Sequence, residues 1–111
     1  MAKHEFGIME EAPRPGERYD DYEPWKYGCI SIDDDLIEPV LPELEQIDCF
    51  WHTVDRPGKG IDYCGINLIP PTSIDQFLAA IPSPLEEAYV SLIELMLRAK
   101  KEKHFIIHYG L

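Results

Sequence analysis

The sequence predicts a small α+β domain in which a four-stranded sheet, mixed or antiparallel, carries helices packed on one face. Its 111 residues, 45% of them apolar, are enough to build one hydrophobic core. Short β-rich runs alternate with proline and glycine turns, and the second half of the chain carries two helix start signals. The predicted order is a strand, a broken helix, two strands, two helices and a last strand.

Residues 1–26 are predicted to form an acidic, proline-containing arm, and residues 27–111 a single α+β domain. The arm shows neither a helical nor an alternating apolar pattern, and Pro13, Pro15 and Pro24 interrupt it. It nevertheless contains several large apolar side chains, so we expect it to be partly ordered against the core.

The first predicted strand covers residues 27–33 and leads into an acidic run that is typical of a helix N-terminus. Asp34 or Asp35 is the expected N-cap. Apolar residues then recur with helical spacing, but Pro39 and Pro42 must interrupt the helix. A short, broken helical segment is therefore expected.

The β-rich runs 49–54 and 61–68 are predicted to pair as a hairpin, because the proline and glycines of residues 55–60 favour a turn. A helix is then predicted after Ser73 from a capping-box pattern. A longer helix is predicted to begin at Ser83, its N-cap.

The hairpin register determines which side chains share a face of the sheet. A four-residue loop places His52 opposite Tyr63 and Trp51 opposite Cys64, and a shift of one residue reverses every assignment. With the four-residue loop, Cys64 is a core thiol beside Trp51 and is separated from His52.

The final predicted elements are the long helix and a last strand. Pro84 at the first helical position supports the helix start, and the helix is expected to run to about Lys101. Residues 105–109 are continuously apolar apart from His108, which favours a position inside the sheet.

The net charge of the chain indicates which classes of molecule can bind to it. The chain has 10 basic and 21 acidic residues, a net charge of −11. Such a field repels phosphate backbones and anionic lipids, so we expect no nucleic-acid and no membrane partner and favour basic proteins or cations. The longest apolar run is too short to cross a bilayer and no apolar signal segment is evident, so a cytoplasmic location is expected.

The sequence gives little indication of catalysis or metal binding. Cys29, Cys49 and Cys64 are widely spaced in apolar surroundings, and are expected to be reduced. The histidines and cysteines do not follow the spacing of a zinc site, so neither a metal nor a cofactor is expected. Without a catalytic motif, the sequence leans against an enzyme.

The predicted long helix carries two apolar stripes. Leu85, Ala88, Leu92, Leu95, Met96 and Ala99 form the first stripe. The second stripe consists of Val90, Ile93 and Leu97. One sheet face cannot cover both, so either the chain itself or a second protein is expected to cover the second stripe.

These features favour a protein-binding or dimerising domain, such as an adaptor or an inhibitor or immunity-type protein with a basic target. The alternative is a small enzyme or ligand-binding protein with a pocket on the sheet. Its candidate polar groups are His52, Tyr63 and His108.

Overall fold

The computed structural model describes residues 2–82 and 87–111. The strands are β1 (Lys3–Met9), β2 (Ile30–Asp33), β3 (Asp48–Trp51), β4 (Pro57–Lys59), β5 (Ile66–Ile69) and β6 (Phe105–Tyr109). The helices are α1 (Asp34–Ile37), α2 (Leu41–Leu44), α3 (Ile74–Ala80) and α4 (Val90–Glu102). Short 3-10 turns occupy Pro24–Tyr27, Glu38–Val40 and Pro71–Ser73.

The strands form one open antiparallel sheet in the order β2-β1-β6-β5-β3-β4. The predicted α+β class is confirmed, while the sheet has six strands and not four. Strand β6 has the predicted bounds and lies inside the sheet, between β1 and β5, as its apolar content indicated.

Strand β1 was missed because residues 1–26 were assigned to the arm. Phe6 and Ile8 alternate with Glu5 and Gly7, a period of two that is short but typical of a strand. In the structure β1 pairs with β2 on one side and with β6 on the other. The beginning of the chain is therefore part of the sheet, and the segment without regular strands begins only after Met9.

The predicted hairpin register is wrong. Strand β3 pairs through its turn with β4, with Cys49 opposite Gly58, and pairs with β5 along its other edge, with Trp51 opposite Asn67. Proline is tolerated in β4 because this strand lies at the sheet edge and needs fewer backbone donors. His52 has φ of 66°, in the left-handed region, which ends β3 before the predicted pairing with Tyr63 can form.

The predicted helices agree with the structure better than the predicted hairpin does. The segment from α1 to α2 is broken by a 3-10 turn that contains Pro39, as expected. Helix α3 follows Ser73, although the Ser73 hydroxyl donates to the Asp48 carbonyl, 2.6 Å away, and does not cap the helix. The predicted helix start at Ser83 and Pro84 lies outside the described residues. Within residues 2–82 and 87–111, no helix is long and apolar enough to cross a membrane.

The sheet is covered on both faces, in different ways. The four helices cover one face, and their apolar side chains form the main core with inward-facing side chains such as Phe6 and Ile106. The segment of residues 10–29 covers the other face, where Tyr19 and Tyr27 pack around a smaller cluster that contains Leu68 and Ile107. Part of the predicted arm therefore does lie on the core.

The cysteines occupy three different environments. All three are free thiols. Cys49 is buried and Cys29 is half-buried, and burial raises the pKa of each thiol to about 12. Cys64 is exposed in the loop before β5, so its predicted place in the core beside Trp51 is wrong.

Candidate functional site: an acidic groove and a buried histidine chain

A groove of about 970 Å³ lies beside the segment that covers the second sheet face. Most of its lining comes from residues 10–28, with Ile8, Met9 and Tyr109 of the sheet and Arg98 and Glu102 of α4. Backbone contacts fix the path of this segment. The Tyr19 amide donates to the His52 carbonyl, 2.7 Å away.

Acidic side chains dominate the groove. Its lining includes seven carboxylates, Glu10, Glu11, Glu17, Asp20, Asp21, Glu23 and Glu102, against three cations, Arg18, Lys26 and Arg98. Some of these charges pair with one another: Arg18 lies 2.7 Å from Asp20 and Lys26 lies 2.8 Å from Glu23.

The unpaired charges of the groove are mainly negative. Among residues 2–82 and 87–111, Glu10, Glu11 and Asp21 form no ion pair within 4.0 Å, and all three are exposed. The groove therefore presents an excess of uncompensated negative charge to any ligand.

A second, more open pocket of about 570 Å³ lies where the chain end meets the loop before β5. His52, Asp20 and Cys64 are among its lining residues. The Nδ1 atom of His52 lies 2.9 Å from a carboxylate oxygen of Asp20, and the Arg18 hydrogen bond is the main reason that the pKa of Asp20 is lowered.

A chain of polar side chains runs through the helix-covered side of the sheet. Nδ1 of His4 lies 2.9 Å from Nε2 of His108, and Nε2 of His4 lies 2.9 Å from Oδ1 of Asp34. The Tyr63 hydroxyl donates to the other oxygen of Asp34. At the opposite end, Nδ1 of His108 lies 3.2 Å from Oδ1 of Asn67.

Burial controls the pKa at the His108 end of this chain, and hydrogen bonds control it at the Asp34 and Tyr63 end. His4, Asn67 and His108 are all fully buried. Burial, together with the charge of His4, lowers the pKa of His108 from 6.5 to about 3. The hydrogen bond from Tyr63, followed by the one from His4, lowers the pKa of Asp34. The same bond to Asp34 raises the pKa of Tyr63 to about 12.

The structure brings two of the three predicted pocket residues into one cluster and leaves the third apart. Tyr63 and His108 belong to the buried chain, where their polar atoms are engaged with neighbouring side chains. His52 lies in the open second pocket with Asp20. The arrangement therefore lacks a closed pocket on which all three converge.

The second stripe of α4 remains largely open. Val90 is 45% exposed and Leu97 is 50% exposed, while Ile93 is half-buried against the main core. The first stripe is buried from Leu92 to Ala99, including Leu95 and Met96. Ala88 is exposed, and Leu85 lies outside the described residues. The predicted arm does not cover the second stripe, because Val90 and Leu97 remain exposed.

The sequence did not predict that three residues of the buried chain belong together: His4, Asp34 and Asn67. Asp34 was expected to cap a helix, but no side-chain cap is formed there and its carboxylate turns to His4 and Tyr63. The signal for His4 was its alternation with Phe6, which places both on one face of a strand. Nothing local connected it to a histidine 104 positions later.

The described residues contain no group of three or more histidine, cysteine or acidic side chains arranged to hold a metal ion. No protein-family model matches the chain, and neither the curated proteins nor the solved structures gave a match.

Proposed function

We propose that this chain is a protein-binding domain whose acidic groove receives a basic segment of a partner protein. The observation that carries the proposal is the groove of about 970 Å³, with its seven carboxylates against three cations. A basic segment would gain long-range attraction from the net charge of −11 and local contacts from exposed carboxylates such as Glu10 and Glu11.

The groove also offers two aromatic side chains to the apolar parts of such a segment. Tyr19 and Tyr27 line it from the covering segment, and both are partly exposed. Aromatic faces attract guanidinium and ammonium groups, and they also pack against the methylene groups of arginine and lysine. The combination supports a basic protein segment over a small inorganic cation.

An adaptor and an inhibitor of a basic target both fit this proposal, and the expected cytoplasmic location stays a prediction. The exposed stripe of Val90, Ile93 and Leu97 supports a second form of it, in which α4 contacts a further protein or a second copy of this chain. A small-ligand or enzymatic role is less well supported, because His52 is apart from Tyr63 and His108.

Calorimetric titration with a short arginine- and lysine-rich peptide tests the proposal. The groove variant is Glu10→Gln with Glu11→Gln. The control variant is Glu43→Gln with Glu45→Gln, which removes the same charge from exposed positions that do not line the groove. Two lost carboxylate contacts should weaken binding by roughly tenfold, because each exposed ion pair contributes about 0.2–1 kcal/mol.

The control variant should lose much less affinity than the groove variant. Equal losses in both would show that only net charge attracts the peptide, and would contradict a groove-specific site. Absence of binding to the unaltered chain at low salt would also overturn the proposal.

A further inference from the structure

The backbone amide of Asp62 fixes the orientation of the Asn67 side chain. This amide lies 2.6 Å from Oδ1 of Asn67, and because an N–H only donates, the atom it contacts must be the carbonyl oxygen. The same oxygen lies 3.2 Å from Nδ1 of His108. An amide oxygen cannot donate, so the hydrogen of that contact sits on Nδ1 of His108.

The position of this hydrogen determines the next contact. His108 is fully buried and neutral, so it carries one N–H, on Nδ1, and its Nε2 is an acceptor. Nδ1 of His4 lies 2.9 Å from that acceptor and must therefore donate.

The other nitrogen of His4 faces a carboxylate. Nε2 lies 2.9 Å from Oδ1 of Asp34, while the other Asp34 oxygen accepts the Tyr63 hydroxyl. Both bonds favour the ionised form of Asp34 and lower its pKa. An ionised carboxylate only accepts, so Nε2 of His4 donates as well, and a histidine that donates from both nitrogens is an imidazolium.

We propose that His4 is a buried imidazolium whose ion pair with Asp34 is an acid-sensitive latch for the edge strand β2. Asp34 directly follows β2, which lies next to β1 at the edge of the sheet formed by the described residues. The Asp34 amide also donates to the Ala2 carbonyl, 3.0 Å away. The pair thus joins the start of β1 to the end of β2, the two strands that flank the groove segment 10–28.

Low pH should break the ion pair. Protonation of Asp34 removes the negative charge that binds His4. In addition, the unfolded chain can protonate His108, which the folded chain keeps neutral, so acid also favours unfolding. The groups that face the pair are Tyr63 from the loop before β5, Asn67 of β5 and His108 of β6, and Glu38 lies close enough to act on Tyr63.

Long-range proton–nitrogen NMR of the histidine rings in the intact chain at neutral pH tests the protonation states. Protonated nitrogens should be found at both positions of His4, and only at Nδ1 of His108. A neutral His4, or a His108 that carries its hydrogen on Nε2, would overturn the assignment. This measurement needs no partner, so it can fail or succeed independently of the proposed groove function.

Amide hydrogen exchange tests the mechanical part of the proposal. Asp34→Asn removes the charge of the latch, and Asp35→Asn removes the same charge from the neighbouring exposed residue. Exchange in β2 should be about tenfold faster in Asp34→Asn than in Asp35→Asn, with β5 much less affected. Equal exchange in the two variants would show that the pair does not hold β2. If Asp34→Asn does not fold, the unaltered chain supplies the test. As the pH falls, amide protection relative to the intrinsic exchange rate must be lost in β2 before β5, and simultaneous loss in both strands overturns the latch.

Discussion

The two faces of the sheet are covered by different means. On the helix face, Phe77 of α3 packs edge to face against Phe6 at 5.9 Å between ring centroids, and neither side chain is exposed. On the other face, residues 27–29 approach the backbone so closely that a Cβ on Gly7 would lie 2.6 Å from Sγ of Cys29. The helix face depends on interdigitated side chains, so removing atoms there should lower the free energy of unfolding. The other face depends on close approach to the backbone of β1, so adding atoms there should lower it.

Truncation on the helix face should have the largest effect. Phe77→Ala is expected to lower the free energy of unfolding by about 3–5 kcal/mol, because it leaves a cavity in a fully buried site. Phe105→Ala, which removes a half-buried ring from the other face, is the matched control and should cost clearly less. Chemical denaturation followed by tryptophan fluorescence measures both, and equal costs would remove the distinction between the faces.

Enlargement at Gly7 should have the next largest effect. Gly7→Ala is expected to cost about 1–3 kcal/mol, because Sγ of Cys29 and Cβ of Tyr27 must move aside for the new methyl group. Gly16→Ala is a useful control, since nothing lies within 4 Å of its added Cβ and its only penalty comes from a φ of +85°. Thermal melting that ranks Gly16→Ala as the more harmful change would contradict close backbone packing at Gly7.

The buried histidine on the helix face should make stability depend on pH. The pKa of His108 is lowered from 6.5 to about 3 in the folded chain, so only the unfolded state binds this proton between those values. Stability should therefore fall as the pH drops from about 6.5 toward 3, with a slope of at most about 1.4 kcal/mol per pH unit from this group.

The matched comparison for this slope is His108→Gln against His104→Gln, which replaces a histidine that is only partly buried. Denaturation across the pH series should show a shallower slope for His108→Gln alone. If the slope is unchanged in that variant, another group causes the acid sensitivity.

The smallest effect on stability is expected at Leu97, the most exposed residue of the second stripe of α4. Leu97→Glu should change the free energy of unfolding by less than about 0.5 kcal/mol, because half of this side chain is already exposed. Ile93→Glu should cost about 1–2 kcal/mol, since Ile93 is half-buried against the main core.

Sedimentation of the same two variants gives the second measurement. A mass below that of the unaltered chain would show that the stripe joins two copies. A large loss of stability in Leu97→Glu at unchanged mass would instead show that the stripe is covered within the chain.

Much of the helix face could be predicted from the sequence. The apolar period placed Leu92, Leu95, Met96 and Ala99 on the buried side of α4, and the prolines predicted the break between α1 and α2. These signals are local, because helical contacts repeat every three or four residues. The last strand was recognisable for the same reason, as five consecutive residues defined it.

The other face and the buried histidine chain depend on contacts that are distant in sequence. Strand β1 contains a glycine at the point of closest approach, which weakens its apolar pattern while making the packing possible. Strand β3 ends early because the backbone of His52 is left-handed, and no glycine, asparagine or aspartate at that position indicated a turn. The pairing of His4 with His108 follows from strand order, which local patterns do not specify.

Amide chemical-shift mapping with the arginine- and lysine-rich peptide tests the proposed groove most directly. We expect the shifts to concentrate in residues 10–28 and at Arg98 and Glu102, the segments that line the acidic groove. Shifts confined to the exposed α4 stripe of Val90 and Leu97, or spread evenly over all acidic surfaces, would contradict the groove as the binding site.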